Sequence, residues 1–281
     1  KDPHYALAAV GIANGYVALA EYVSPREAMP KAREFALKAI ELPGARSEAH
    51  VTLGLVKLLY DWDWLGAEKE FKYDSPLAPK AVSTFSCYLH YTDTLGRTQD
   101  AIAALNRLLA RDPTSVWNNS ELGCVSYYAR QYDHSLALSR RAVSLNPEFQ
   151  LAYVSLGRAY IQKHMYSEAI AALQTGRSLD PEFPQIVGEL GFAWAVSGNK
   201  AAAQDVLHQL DRIAAHRYVD AYPIALIYLG LNERDKAFSY LEKAYAERSN
   251  FMPWLKVEPK FDTIRSDPRY LDLLRRVGFP T

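Results

Sequence analysis

Cys87, His90 and Asp93 stand at successive steps of three residues, and Cys124 follows further along the chain. On a helix, steps of three drift slowly, so these side chains share a face. Thiolate and imidazole together suit zinc, or a Cys–His nucleophile pair. Against that chemistry stands the absence of any close-spaced Cys-x-x-Cys pair. Cysteine is also one of the most commonly buried small apolar residues, and a histidine beside it needs no ligand role. No glycine-rich phosphate loop, His-Glu-x-x-His, nucleophile elbow or paired-acid arrangement occurs in the chain. The expectation is a non-enzymatic protein with no cofactor and no metal. A second cluster, Asp61-Trp62-Asp63-Trp64, could stack a ligand ring or hold a cation. The packing alternative has an indole covering an irregularity in the chain, with the aspartates capping the following helix.

The elements that position these residues follow from a period. Pro79, Pro113, Pro147 and Pro181 stand 34 residues apart, three of them after Asp or Asn. Leu122-Gly123, Leu156-Gly157 and Leu190-Gly191 keep the same spacing, and Leu53-Gly54 falls at a matching place. Small residues follow in each unit: Ala101, Ser135, Ala169, Ala203 and Ala237. A fixed period of this length marks a solenoid, whose units each contact only their neighbours. In the cleanest unit, 150–181, Leu151, Val154, Leu156, Tyr160 and Ile161 suit a first helix. Ser167 is placed to cap a second helix running from Glu168 to about Leu179, where Asp180-Pro181 stops it. Gly157 and Ala169 allow the two helices to approach.

Seven hairpins result, beginning near Ala6, Ser47, Val82, Val116, Gln150, Pro184 and Tyr218, so that 1–249 forms the array. The first has about seven extra residues around Tyr22-Val23-Ser24-Pro25, and the second has one extra within Tyr60 to Trp64. Asp74-Ser75-Pro76 predicts an early end, near Tyr73, for the second helix of the second hairpin. Tyr88-Leu89 replaces Leu-Gly in the third, which predicts helices pushed apart there. Over 250–281 the period fails, and this segment is expected to cap the open end. Its last helix takes Asp267 as cap, Pro268 in the first turn and Gly278 as stop. Tyr270, Leu271, Leu274 and Val277 form its expected apolar stripe.

The 281 residues carry 32 Lys plus Arg against 32 Asp plus Glu, so bulk charge draws the chain neither to nucleic acid nor to anionic lipid. No apolar run approaches the roughly 18 residues of a membrane helix. The opening Lys1-Asp2-Pro3-His4 lacks a signal-peptide pattern and reads as the tail of a preceding repeat. Two cysteines make no disulfide framework, which fits a reducing compartment.

These units resemble the tetratricopeptide repeat over residues 3–249: Leu-Gly early, Tyr in the first helix, Ala opening the second, Pro at the end. The resemblance implies an all-α, right-handed α-solenoid of about seven repeats with a C-terminal capping helix. Tyr60-Asp61-Trp62-Asp63-Trp64 with Ala67 to Phe71 is similar to a sub-family of bacterial signalling proteins. Leu255 to Asp262 with Arg265 to Arg269 points the same way. In such proteins the module sits behind a winged-helix, nucleotide cyclase or serine/threonine kinase domain. The resemblance therefore implies a sensor or scaffold half, with an output domain elsewhere. The bacterial cytoplasm is its expected compartment, or the periplasm if the regulator is membrane-anchored.

In such arrays the first helices line the concave groove. The resemblance puts Ser83, Ser86, Cys87, His90 and Asp93 in it from the third unit, then Trp117, Ser120, Glu121, Cys124 and Tyr127 from the fourth. The fifth and sixth contribute Leu151, Ser155, Arg158, Gln185, Glu189 and Phe192. The family's carboxylate clamp needs Lys, Asn and Arg on three successive helices, and only Asn14 falls on such a position. A lone Asn lacks the donors a carboxylate needs, so that specificity is excluded. The expected partner is a protein or peptide segment held by His90, Asp93, Trp117, Glu121, Cys124, Tyr127, Arg158, Glu189 and Phe192. The alternative is a ligand-sensing regulatory module.

Overall fold

A computed structural model describes residues 3–73 and 91–280. His90, Cys87, Ser83 and Ser86, with the expectations placed on Asp74-Ser75-Pro76 and Tyr88-Leu89, lie outside the described residues. The described part is helical, without strands. In chain order the helices are α1 (Pro3–Leu19), α2 (Pro25–Glu41), α3 (Arg46–Val56), α4 (Trp64–Phe71) and α5 (Thr98–Arg111). They continue as α6 (Val116–Tyr128), α7 (Tyr132–Leu145), α8 (Gln150–Gln162), α9 (Tyr166–Leu179) and α10 (Pro184–Val196). The last are α11 (Lys200–Ala214), α12 (Ala221–Gly230), α13 (Arg234–Glu247) and α14 (Pro268–Val277). Consecutive helices pair as hairpins, and the hairpins stack as an α-solenoid.

The glycine of each Leu-Gly step sits where the second helix of its own hairpin crosses. A Cβ on Gly157 would lie 2.5 Å from Leu173 Cγ, and one on Gly123 would lie 2.8 Å from Ser139 Oγ. In the latter hairpin Ser135 Oγ also donates to the Gly123 carbonyl at 2.7 Å, which ties the crossing with a hydrogen bond. Ala169 and Ala203, at the matching place in later units, are fully buried.

A second period appears only in the backbone. Trp62, Gly96, Arg130, His164, Gly198 and Asn232 are all left-handed, with φ from 58° to 87°, and they recur every 34 residues. Each closes the turn between the two helices of a hairpin. The 6→1 hydrogen bonds that follow are those of a Schellman motif: Arg97 N to Thr92 O, Gln131 N to Ser126 O, Met165 N to Tyr160 O and Glu233 N to Tyr228 O. In the second hairpin the corresponding bond, Asp63 N to Lys57 O, spans one residue more. The extra residue is absorbed as a π-helical turn over Lys57–Asp61. This turn geometry also corrects the expected cap of α9. His164 takes the left-handed position, Met165 becomes the N-cap, and Ser167 lies inside the helix.

The seven extra residues of the first hairpin lengthen both of its helices. α1 and α2 have 17 residues each, against 13 and 14 in α8 and α9. Their joining turn reaches the other end of the array. Gln185 Nε2 donates to Glu21 Oε1 at 3.2 Å, the Arg217 guanidinium stacks 5.4 Å from the Tyr22 ring, and Arg26 Nε donates to the Ala246 carbonyl at 2.8 Å. The turn before α4 does the same. Trp62 packs on Tyr245, with the Arg248 guanidinium 4.0 Å from its ring, and Trp64 packs on Phe279. The two indoles therefore join distant units rather than cover a local gap. Of the two aspartates, Asp63 caps α4 by accepting from Gly66 N at 2.9 Å, while Asp61 pairs with Arg33.

After α13 the chain turns inward through two 3₁₀ turns, Met252–Trp254 and Pro259–Ile264, before α14. Asp267 accepts from Arg269 N, and Gly278, left-handed at φ 74°, ends the helix. α14 packs against α13. Its buried stripe is Tyr270, Leu273 and Val277, whereas Leu271, expected inside, is 52% exposed. Leu273 joins this stripe at helical spacing between Tyr270 and Val277, and Trp64 donates to the Val277 carbonyl at 3.3 Å.

Candidate functional site

Five side chains of the wall meet residues 251–262 directly, and a sixth, Arg158, acts through Glu189. Asp93, from the turn of helix ending the third hairpin's first half, accepts from Trp254. Tyr127 on α6 donates its hydroxyl to Glu258. Arg158 on α8 and Glu189 on α10 pair at 2.7 Å, and Lys260 Nζ joins the same Glu189 Oε1 at 2.7 Å. Phe192 on α10 faces Lys260, with its ring centroid 5.3 Å from Nζ. Tyr222 on α12 stacks on Phe251 at 5.7 Å and meets Phe261 edge-on at 5.6 Å. First helices of successive hairpins can meet one short segment only where the solenoid curves around it, so 251–262 runs along the concave wall.

The groove that the sequence reading assigns to a partner is filled by the chain's own tail. Met252, Leu255, Phe261, Ile264 and Tyr270 are at most 1% exposed, and they share one core with Leu190, Phe192 and Tyr222 of the wall and Trp64 and Phe71 of α4. The reason is physical. The array leaves apolar and charged side chains on its inner face, and the chain's own tail carries the complementary groups. Two shallow open depressions, of about 610 and 670 Å³, lie instead beside the left-handed turns at Arg130 and Asn232, away from this wall.

Of the expected residues, Asp93, Glu121, Cys124, Tyr127, Arg158, Glu189 and Phe192 come together around the tail. Trp117 does not. It is 45% exposed and packs edge-on against Phe149. Glu258 and Lys260, central to the site, were not among the expected residues, because they follow the point where the period fails. The one local signal was Glu258 before Pro259, a cap position, and Glu258 does accept from Lys260 N.

Burial sets the electrostatics. Asp93 is held well above the ordinary carboxylate range by burial, reinforced by the nearby Glu121 charge. Burial pushes the Cys124 thiol far up, with Glu121 adding to it, so this cysteine stays protonated. Glu189 behaves oppositely. Burial would raise it, but the Lys260 and Arg158 charges outweigh that and hold it below its usual value. Tyr127 is raised by burial and by Glu258. Among the described residues, no cluster of His, Cys, Asp and Glu could hold a metal ion, and no helix is long and apolar enough to cross a membrane.

The tetratricopeptide repeat model matches residues 151–183 and 222–251. No curated protein sequence matches. Among solved structures, a tetratricopeptide repeat protein from Parabacteroides merdae aligns at a TM-score of 0.57 with 13% identity, over 91% of this chain and 98% of that one. The APC/C hetero-tetramer Cut9–Hcn1 gives 0.58 and 14%, over 91% of this chain and 50% of the other. PilW, a type IV pilus biogenesis factor, gives 0.56 and 17%, over 75% and 94%. At these identities the likeness concerns the fold. Repeat model, hairpin stacking and shared architecture agree: the chain carries tetratricopeptide repeats at 151–183 and 222–251 and shares the α-solenoid fold of these structures.

Proposed function

We propose that the chain is a non-enzymatic protein-interaction scaffold whose inner wall recognises a peptide segment. One observation carries this reading: the wall already holds a stretch of polypeptide, 251–262, through charged, aromatic and hydrogen-bonding contacts from several first helices. Tetratricopeptide arrays offer such concave surfaces because each repeat adds a few side chains to a continuous wall. Recognition then rests on a small number of buried aromatic and charged anchors. Here those anchors are Tyr127, Arg158, Glu189, Phe192 and Tyr222. Trp117 belongs to the outer rim.

A second reading, a regulatory module working with an output domain, is favoured by the same occupancy. A wall filled from within couples partner binding to tail movement, which is how a binding event becomes a conformational signal. A bacterial cytoplasmic setting goes with that reading. To test the scaffold reading, a displayed peptide library is panned against the folded 281-residue chain. Binders are expected to be lost on Phe192→Ala and retained on Trp117→Ala. Binders indifferent to Phe192→Ala would place recognition on another surface and end the proposal.

A further inference from the structure

Among the described residues, Lys260 is the one lysine whose side chain is wholly removed from solvent in an ion pair. Its ammonium sits 2.7 Å from Glu189 Oε1 and 3.8 Å from Glu258 Oε1. Two ring faces close it in, Phe192 with its centroid at 5.3 Å and Tyr127 at 5.8 Å. Aromatic faces and a carboxylate around one cation form an ammonium cage, since each ring adds quadrupole attraction that desolvation strengthens. Three of the four groups belong to the wall, on α6 and α10. Only Glu258 and the lysine itself come from the tail.

Such a cage is not what packing alone would select. A buried ion pair costs desolvation that an apolar side chain of similar size avoids, so stability alone does not account for it. The cage is also incompletely used. Glu189 Oε1 accepts from both Lys260 and Arg158, while the buried Oε2 has no hydrogen bond among the described residues. The Tyr222 hydroxyl, beside Phe251 and Phe261, is likewise buried without one among the described residues. Buried polar groups left unpaired cost free energy, so the resident tail is not an ideal match for the wall.

We propose that the α6–α10 cage is a lysine-recognition pocket, that Lys260 is its resident occupant in cis, and that its ligand in trans is a lysine followed by an aromatic residue. The proline before Lys260 and Phe261 after it define the flanking chemistry of that ligand. Proline fixes the entering backbone, and the aromatic ring stacks against Tyr222. Occupancy in trans proceeds by exchange rather than by opening. A vacated wall would leave Glu189 with Arg158 as its one remaining partner and its apolar neighbours uncovered, so the tail leaves only as a peptide of matching chemistry enters. The proposal rests on the scaffold reading above and adds the ligand class to it.

The test uses the full chain and a synthetic peptide of residues 254–264, blocked at both ends, with a second peptide carrying norleucine in place of lysine at position 260. Lys260→Ala and Lys260→Met vacate the ammonium position, and methionine fills the space if alanine impairs folding. Calorimetry is expected to give binding of the lysine peptide to either variant at least tenfold tighter than to the unaltered chain. The norleucine peptide should bind at least tenfold more weakly than the lysine peptide. In the unaltered chain, a large excess of lysine peptide should accelerate amide exchange across 251–264. No binding to either folded variant, together with unchanged exchange, would overturn the cage as an exchangeable site. If library binders sensitive to Phe192→Ala are found while this peptide fails, the scaffold reading survives and the lysine pocket falls. Equal binding of the norleucine peptide would also overturn it.

Discussion

Glu189 and Lys260 lie 71 residues apart in the chain and meet at 2.7 Å with their side chains 4% and 0% exposed. The pair joins the sixth hairpin to the tail in the middle of the solenoid. Arg158 shares the same carboxylate oxygen, so the centre of the wall is a three-residue ion network rather than an isolated bridge.

Removing the lysine therefore leaves Glu189 with one partner instead of two. Lys260→Ala is expected to lose about 3 kcal/mol, the lower end for breaking a buried pair, because Arg158 still neutralises the carboxylate. Lys260→Met should lose less, since it keeps the packing between Phe192 and Tyr127. Urea unfolding followed by circular dichroism checks both. A larger loss for methionine than for alanine would contradict the packing argument.

Glycines divide into two kinds. Gly157→Ala puts a Cβ within 2.9 Å of three atoms of the buried Leu173 side chain and is expected to lose about 1–3 kcal/mol. Gly11→Ala and Gly15→Ala, both exposed on α1, meet nothing within 4 Å. Each should gain about 0.5–1 kcal/mol by restricting the unfolded chain within a helix. Thermal melts of the three variants should move in opposite directions.

Asp220 caps α12, accepting from Tyr222 N at 2.8 Å, and burial lifts it to about 6, partly offset by that hydrogen bond and one from Ser249. Glu247 and Glu21 add to the rise. A carboxyl raised above its ordinary 3.8 contributes most below that pH, and the contribution is lost as pH rises through 6. Asp220→Asn keeps the capping oxygen and removes the charge. It should match the unaltered chain near pH 4 and exceed it by on the order of 2 kcal/mol at pH 8. Stability profiles that stay parallel across that range would refute the assignment.

Trp62 is left-handed at φ 58°, a strained setting for a bulky residue. Trp62→Gly relieves roughly 1–2 kcal/mol of strain but forfeits the stack with Arg248 and Tyr245. Losing a buried tryptophan costs about 3–5 kcal/mol, so packing wins and the variant should be less stable by about 2 kcal/mol. Calorimetric unfolding decides the sign.

Cys124 is expected to resist alkylation in the folded protein, since burial suppresses its thiolate. Mass spectrometry after iodoacetamide treatment at pH 8 should find it unmodified until denaturant is added. Rapid labelling of the native chain would reopen the nucleophile reading.

Local chemistry was legible in the residues. The 34-residue spacing of Pro113, Pro147 and Pro181 and of the Leu-Gly steps reports contacts between helices of one hairpin, which lie close in sequence. The caps at Asp63 and Asp267 and the stop at Gly278 were readable for the same reason: each acts within a few residues of itself. The left-handed turn positions were not, because Trp62, Arg130 and His164 are there through the demands of the 6→1 bond and not through intrinsic preference. Tertiary structure alone decided the rest. Whether the inner wall stands open depends on groups that meet across 71 or 131 residues, as Glu189 meets Lys260 and Tyr127 meets Glu258. No periodic pattern encodes such meetings. They arise from the curvature that many small hairpin rotations accumulate, and from a tail whose charges and rings complement what that curvature encloses.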